Sequence, residues 1–317
     1  MPITTKHPMS FTRVSTPLDG GVSSEIRIVH SSHGNYVVKR ALEKLRVKAD
    51  WFSDPARSSI EVRGLRALAT LLGQAHVPRV LWADEAANEF AMELIDSRFK
   101  NWKQELLRGH VDVVTARAAG RLLGQLHTGS NADPCLASQF DNPRPFIELR
   151  IRPFFDRIAQ RNTALAPAIA DIVHNIHVSR NALVHGDYSP KNLLVDGDEV
   201  VILDCEVAHW GDARFDVAFC TAHLLLKSFR RAAPTPRILL ATLAFLSEYR
   251  LAGLAPLDQH FARQLGCLLL ARLEGDSPVD YLEDLNVSEV KQLATELILR
   301  PPAFTDSDIR ALGTLAP

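Results

Sequence analysis

The chain has 317 residues, of which 46% are hydrophobic, 7% aromatic and 23% charged, and its 36 Lys and Arg against 37 Asp and Glu leave a formal charge of −1. These are the proportions of a soluble globular protein, long enough for one large domain or two modest lobes, because single cores stop growing near about 250–300 residues. With both signs interspersed there is no net pull toward a phosphate backbone or an anionic leaflet, so nucleic-acid and membrane roles are set aside.

Residues 1–20 lack an apolar signal core, and the run Ile238 to Leu246, with a Thr inside, falls well short of the roughly 18 residues that span a bilayer, which points to the cytoplasm. Cys135, Cys205, Cys220 and Cys267 form no C-x-x-C pair and read as small buried apolar residues, not a disulfide framework or a zinc site. In chain order, Glu25 to His30 and Tyr36 to Lys39 predict a β-hairpin around a polar turn. Ile60, Leu65, Leu68 and Leu72 then recur at helical spacing until Gly73 and Pro78 end the segment. Arg79 to Trp82 and Glu89 to Ile95 predict a second hairpin.

From about residue 100 the period is mostly 3.6, with Val114, Ala118, Leu122 and Leu126 on one face, then Ile169, Ile172, Val173 and Ile176, then Ile238 to Leu246. One island interrupts this, since between Leu183 and Val207 apolar runs alternate with polar turns and predict two or three short strands. The organisation is α+β: a small β-rich lobe over residues 1–95, a linker near 95–100, and a larger helical lobe over 96–317.

The chemistry lies in the island. The string Leu183-Val184-His185-Gly186-Asp187-Tyr188-Ser189-Pro190-Lys191-Asn192 is followed by Val201-Ile202-Leu203-Asp204-Cys205-Glu206. Polar residues just past apolar strands point into whatever cleft the strand ends face, so Asp187, Asn192 and Asp204 can converge on a hard divalent cation and a substrate hydroxyl. A lone His-Gly-Asp would be an ordinary turn; the spaced Asn and Asp partners argue against that. These residues resemble the aminoglycoside phosphotransferase and choline kinase superfamily, whose fold is that of protein kinases. The resemblance implies that Asp187 is the catalytic base, that Asn192 and Asp204 hold Mg2+, and that ATP is the phosphoryl donor. Gly211-Asp212-Ala213-Arg214-Phe215-Asp216 is similar to the family's G-D-x-x-x-D segment, in which the last Asp, here Asp216, supports the catalytic loop together with His185.

The amino-terminal half supplies matching parts. The turn bearing Gly20, Gly21, Ser23 and Ser24 could bring backbone N–H groups to an anion, although a plain hairpin turn explains it nearly as well. Lys39 resembles the strand lysine that pairs with the α- and β-phosphates, and Glu61 the helix glutamate that holds it, with Glu43, Asp50 and Asp54 as rivals. The resemblance also implies an adenine-binding hinge, where backbone groups of Glu93 and Ile95 meet the base and Met92 lines the back of the pocket.

The acceptor is expected beside the loop, with Glu206, Asp212, Glu274 and Asp276 as a negative wall for an amine, although Glu274 and Asp276 read more simply as a solvated acidic surface, or with Arg272 favouring an anion. Cys205 departs from the aromatic residue that many relatives carry, and Ser189 replaces the Lys of protein-kinase loops, which disfavours protein phosphorylation. The expected function is ATP-dependent phosphorylation of a hydroxyl on a small polar molecule: an aminoglycoside, an amino alcohol or a sugar. The alternatives are a pseudokinase that binds without turnover, and a metal-dependent hydrolase for which only His209 could add a nearby histidine ligand. His174 and His177 read as ordinary helical histidines, and His127 as a capping or packing residue.

Overall fold

The computed structural model describes residues 14–18, 22–46 and 51–302, so Gly20, Gly21 and Asp50 lie outside the described residues. The first hairpin is β2 (Ser24–His30) against β3 (Tyr36–Ala41), with β1 (Val14–Pro17) added along one side. After α1 (Arg57–Leu72), β4 (Val80–Asp84) and β5 (Glu89–Glu93) form the second hairpin, and the whole is an antiparallel sheet in the order β1-β2-β3-β5-β4. Alternation along β3 is incomplete: Val37, Val38 and Lys39 are all buried, because one face packs on the sheet's own small core and the other faces α1. Gly73, at φ 97°, adopts the left-handed backbone that ends α1.

The expected linker finishes in a two-residue strand, β6 (Lys100–Asn101), paired with β8 (Leu193–Asp196) of the island. The island itself holds β7 (Ala182–Val184), β8, β9 (Glu199–Ile202) and a strand too short to show in the pattern, β10 (His209–Gly211), which pairs with β7.

Around the island stand helices α2 (Trp102–Leu107), α3 (Val113–Asn131), α4 (Pro134–Gln139), α5 (Arg144–Phe146), α6 (Arg157–Arg161) and α7 (Ala166–Val178). They are followed by α8 (Arg214–Ser228), α9 (Thr235–Ala252), α10 (Gln259–Glu274) and α11 (Val287–Leu299). The main core lies among them: in α8 every residue from Phe215 to Ser228 is buried, as befits a helix enclosed on all sides. Two expectations from the apolar pattern fail. Val114 is 52% exposed on the first turn of α3, and Cys135 is exposed in α4, while the other three cysteines are buried. Between α5 and α6 the backbone widens into a π-helix, Ile147–Asp156, with Pro153 inside; proline's missing N–H and its ring disfavour the tighter α ladder there. No helix among the described residues is long and apolar enough to cross a membrane.

Candidate active site

The loop after β7 is held from beneath. Asp216, in the first turn of α8 and fully buried, accepts hydrogen bonds from the backbone N–H groups of His185 (2.7 Å) and Gly186 (2.8 Å). Gly186 sits at φ 76°, and a Cβ there would stand 2.8 Å from Val207 Cγ2, so only glycine fits the turn that aims Asp187 outward. The His185 ring takes one tautomer, because Nδ1 accepts from the Asp187 N–H (3.2 Å), leaving Nε2–H to donate to the Leu203 carbonyl (3.0 Å). His127 Nε2 lies 3.1 Å from Asp216 and its Nδ1 2.9 Å from the Tyr249 hydroxyl, all buried, so His127 joins the bracing network and does not cap a helix end.

Both oxygens of Asp187 are held. The Asn192 Nδ2 donates to Oδ2 at 2.7 Å and to the Asp187 carbonyl at 3.0 Å, and Arg150 Nη2 lies 2.8 Å from Oδ1. Arg150 projects from the π-helix, where its Nε also donates to the Gly186 carbonyl at 2.8 Å and its guanidinium lies near the rings of Phe154 and Phe219. The carboxylate is therefore fixed at the mouth of the cleft before any substrate arrives.

Across the cleft, Lys39 Nζ on β3 lies 2.7 Å from Glu61 Oε1 on α1 and 2.5 Å from Asp204 Oδ1. Among the described sequence candidates for Lys39's partner, Glu61 is the carboxylate in contact with it. Burial opposes the charge on Lys39, but Asp204, Glu61 and Glu206 outweigh it and hold the lysine above its usual range. Burial, reinforced by Asp204 and Glu206, pushes Glu61 up to about 8 against the pull of Lys39. Asp204 goes the other way: burial again works against its charge, yet Lys39 and Lys191 hold it well below the usual carboxylate range. It also sits at φ 68°, a left-handed backbone that a non-glycine residue keeps only when its surroundings impose it.

Glu61, Asp204 and Glu206 bring one oxygen each within 4.8 Å of the others. Glu61 is taken by Lys39, and Glu206 by Arg57 Nε at 3.0 Å. Arg57 also donates to the carbonyls of Ser23 (2.5 Å), Leu42 (2.8 Å), Ser53 and Asp54 (both 3.1 Å), so it ties the start of α1 to the strand ends and to the loop after Asp204. Asp204 remains the member with an 18% exposed side chain on the cleft. With both amide contacts of Asn192 made through Nδ2, its Oδ1 is left as acceptor; that oxygen and the Asp204 carboxylate are hard donors that fit Mg2+.

The remaining expected residues divide. Ser23, Glu206 and Arg272 line the cleft with Asp187 and Asp204, but Glu206 is committed to Arg57 and offers no free carboxylate to an amine. Asp212 is a correction: 1% exposed, it caps the start of α8 through the Arg214 N–H and accepts from Gln264 Nε2 at 2.7 Å, away from the cleft. Burial is the cause of its raised carboxyl affinity for a proton. Glu274 is another: it pairs with Lys291 (2.6 Å) and Asn162 (2.8 Å) on the outer side of α10. Ser24 is buried on β2 with its hydroxyl unpartnered among the described residues. Met92 packs on the core from β5, and the Glu93 N–H is bonded to the Arg79 carbonyl (2.9 Å), so on Glu93 only the carbonyl could serve an adenine. His209 stacks on Phe146, donates its Nδ1–H to the Val207 carbonyl (3.1 Å), and burial drops it to about 4; among the described residues it does not build a second metal shell.

Arg57, Arg150 and His127 were not singled out for these roles by the sequence. The only signal was an arginine wedged in Leu149-Arg150-Ile151 ahead of Phe154-Phe155, an apolar setting that a charge enters only with a partner.

A family model described as the phosphotransferase enzyme family matches residues 14–258. The methylthioribose kinase of Escherichia coli O45:K1 (strain S88) is 26% identical over 249 residues, 69% of this chain and 58% of that one. That of Geobacillus kaustophilus (strain HTA426) is 26% identical over 253 residues, 69% and 63%. The chain thus spans under two thirds of the length of either relative. Among solved structures, an amicoumacin kinase in complex with AMP-PNP and Ca2+ superposes with a TM-score of 0.58 at 14% identity, covering 93% of this chain and 91% of the other. A macrolide 2′-phosphotransferase from Brachybacterium faecium gives 0.52 at 18% identity, covering 91% and 93%. These likenesses show a shared two-lobed, protein-kinase-like fold.

Proposed function

The chain belongs to the phosphotransferase enzyme family, and on that premise we propose that it transfers the γ-phosphoryl group of Mg-ATP to a hydroxyl of a small polar molecule. The observation that carries this is the placement of Asp187, locked by Asn192 and Arg150, on the same cleft as Asp204 with its Lys39 and Glu61 partners.

In the step proposed, the acceptor oxygen forms a bond to the γ-phosphorus, the bond from that phosphorus to the bridging β–γ oxygen breaks, ADP leaves, and the acceptor's proton passes to Asp187. Asp187 orients the hydroxyl and receives its proton; Lys39, kept charged, meets the α- and β-phosphates; Ser23, on the cleft wall, would face the phosphates. Bound Mg2+, held by Asn192 and Asp204, would neutralise charge on the phosphates. Backbone groups of Glu93 and Ile95 would meet the adenine edge. Catalysis of this kind is mostly positioning and electrostatics, which suits a site whose base and lysine are both pinned in advance. The methylthioribose kinase relatives support a sugar-like acceptor. A chain that consumes ATP and carries unpaired cysteines fits the cytoplasm.

The test is Asp187→Ala assayed for ADP release with Mg-ATP and a panel of sugars, amino alcohols and aminoglycosides. Turnover should fall about 10²–10⁴-fold while binding of AMP-PNP persists; a variant that phosphorylates like the parent overturns the reading. Asp204→Ala should instead weaken magnesium-dependent nucleotide binding itself, measured by calorimetry.

A further inference from the structure

Resting on that kinase reading, we infer that the acceptor carries an oxyanion, a carboxylate or a phosphate, beside the hydroxyl that is phosphorylated, and that Arg272 receives it.

The argument is one of charge left over. Three carboxylates line the cleft, and each already has a cation: Asp187 has Arg150 at 2.8 Å, Asp204 has Lys39 at 2.5 Å, and Glu206 has Arg57 at 3.0 Å. None is left to receive an ammonium group. Arg272, from the last turn of α10, lines the same cleft and makes no ion pair among the described residues. Its Nη1 donates to Ser277 Oγ at 3.0 Å, its Nε is buried with no partner, and its guanidinium lies 5.7 Å from the Phe154 ring, the ring that Arg150 also approaches.

A guanidinium has five N–H donors, and one side-chain bond leaves a fork that matches the two oxygens of a carboxylate or phosphate. The surroundings add to the positive field. Lys191 lines the cleft, and the buried Lys227 Nζ donates, among the described residues, to the His223 carbonyl at 2.8 Å. Burial lowers the proton affinity of Arg272, with Arg150 adding to the effect and Tyr281, Asp187 and Asp280 opposing it. A polyamine such as an aminoglycoside would bring more positive charge to this wall; an oxyanion supplies what the wall lacks.

The experiment varies charge on fixed scaffolds. Initial rates of ADP formation with Mg-ATP are compared for gluconate, glucose 6-phosphate, glucose and glucosamine, for glycerate, glycerol 3-phosphate, glycerol and 3-aminopropane-1,2-diol, and for the neutral 5-methylthioribose and the cationic kanamycin. Calorimetric binding of each to the enzyme loaded with Mg-AMP-PNP registers compounds that bind without turnover. The expected result is at least a tenfold preference, in kcat/KM or affinity, for oxyanion-bearing members over their neutral partners, with amines weakest; carboxylates and phosphates are separate arms, and the better one identifies the group.

Arg272→Gln should reduce that preference to below twofold by raising KM for the anionic acceptors, and Arg272→Lys should restore part of it, with retained AMP-PNP binding as the check that each variant is folded. Equal or better use of neutral or amine compounds overturns the inference. So does a panel in which no oxyanion compound binds or reacts, and so does an Arg272→Gln variant that loses kcat alike for every acceptor, which would place Arg272 on the transferred phosphate. The kinase reading itself fails on a different result, normal turnover by Asp187→Ala.

Discussion

The two walls of the cleft differ in how completely they pair their buried cations. On the sheet side Lys39 and Arg57 are each buried against carboxylates, Glu61 with Asp204 for the lysine and Glu206 for the arginine. On the helical side Arg150 is likewise paired, with Asp187 at 2.8 Å, but Lys227, just as buried as the sheet-side cations, bonds a carbonyl, and Arg272 has a serine hydroxyl and an aromatic face. Burial penalises a charge in both places, so what differs is the partner: Lys39 is held above its usual range, while burial drops Lys227 to about 7, with Lys103 and Arg272 adding to the effect. On the proposed function the sheet wall is complete in itself and needs only to be rigid, because it would present a fixed cation to phosphates. The helical wall is complete only when something negative enters.

Cutting the sheet wall should give the largest stability effects. Arg57→Met strands the Glu206 carboxylate and four carbonyls where two elements meet, and a loss of about 3–5 kcal/mol is expected, seen as a lower urea midpoint with an unchanged slope. Glu206→Gln is the control that sharpens this. It removes the charge pair but leaves Arg57 its carbonyl partners, so about 1–2 kcal/mol is expected; equal losses for the two variants would mean that the arginine acts through the ion pair alone. Lys39→Met should cost about 2 kcal/mol, less than the usual penalty for breaking a buried pair, because Glu61, already raised by burial to about 8, can take up a proton. Its effect on nucleotide affinity should exceed its effect on stability, and a variant that binds Mg-ATP like the parent would remove Lys39 from the phosphate site.

How far the sequence reaches follows the same division. The loop from His185 to Asn192 and the Asp204 turn were legible through the resemblance their motif carries, and because short, stiff connections limit where their residues can point. The sheet, α1 and the helical lobe were legible from periodicity. Arg57 and Arg150 were not, since their partners Glu206 and Gly186 lie 149 and 36 residues away and nothing local records such a pairing. Asp212 misled for a complementary reason. It stands four residues from Asp216 in a recognisable segment, but the turn into α8 aims it at Gln264 and Arg214 and away from the cleft. Glu274 differs from Arg272 by two positions on α10, about 200° around a helix, which is enough to put one on the cleft and the other beside Lys291.

The effect of opposite sign is expected on the helical wall. Lys227→Met keeps the stem that fills the core and deletes the charge. The groups facing this lysine are Lys103, Arg272, His223, Cys220, Tyr281 and Asp280, and they supply no close carboxylate; its nearest contacts are the His223 carbonyl and the Tyr281 ring. Its proton affinity in the fold is about 7 against 10.5 when exposed, a lowered value, so between those limits the unfolded chain binds the proton that the folded chain gives up. Stability of the parent must therefore rise with pH across that window, and below about pH 7 the full penalty of a buried charge applies. The variant lacks this term. At pH 6 it should be more stable by about 1–2 kcal/mol, the desolvation relief less the lost bond to the carbonyl, and the advantage should shrink to nothing or reverse by pH 10, as followed by urea midpoints at several pH values. An advantage that stays constant with pH would mean that Lys227 keeps its proton in the fold just as it does in the unfolded chain, and the contrast between the two walls would then rest on Arg272 alone.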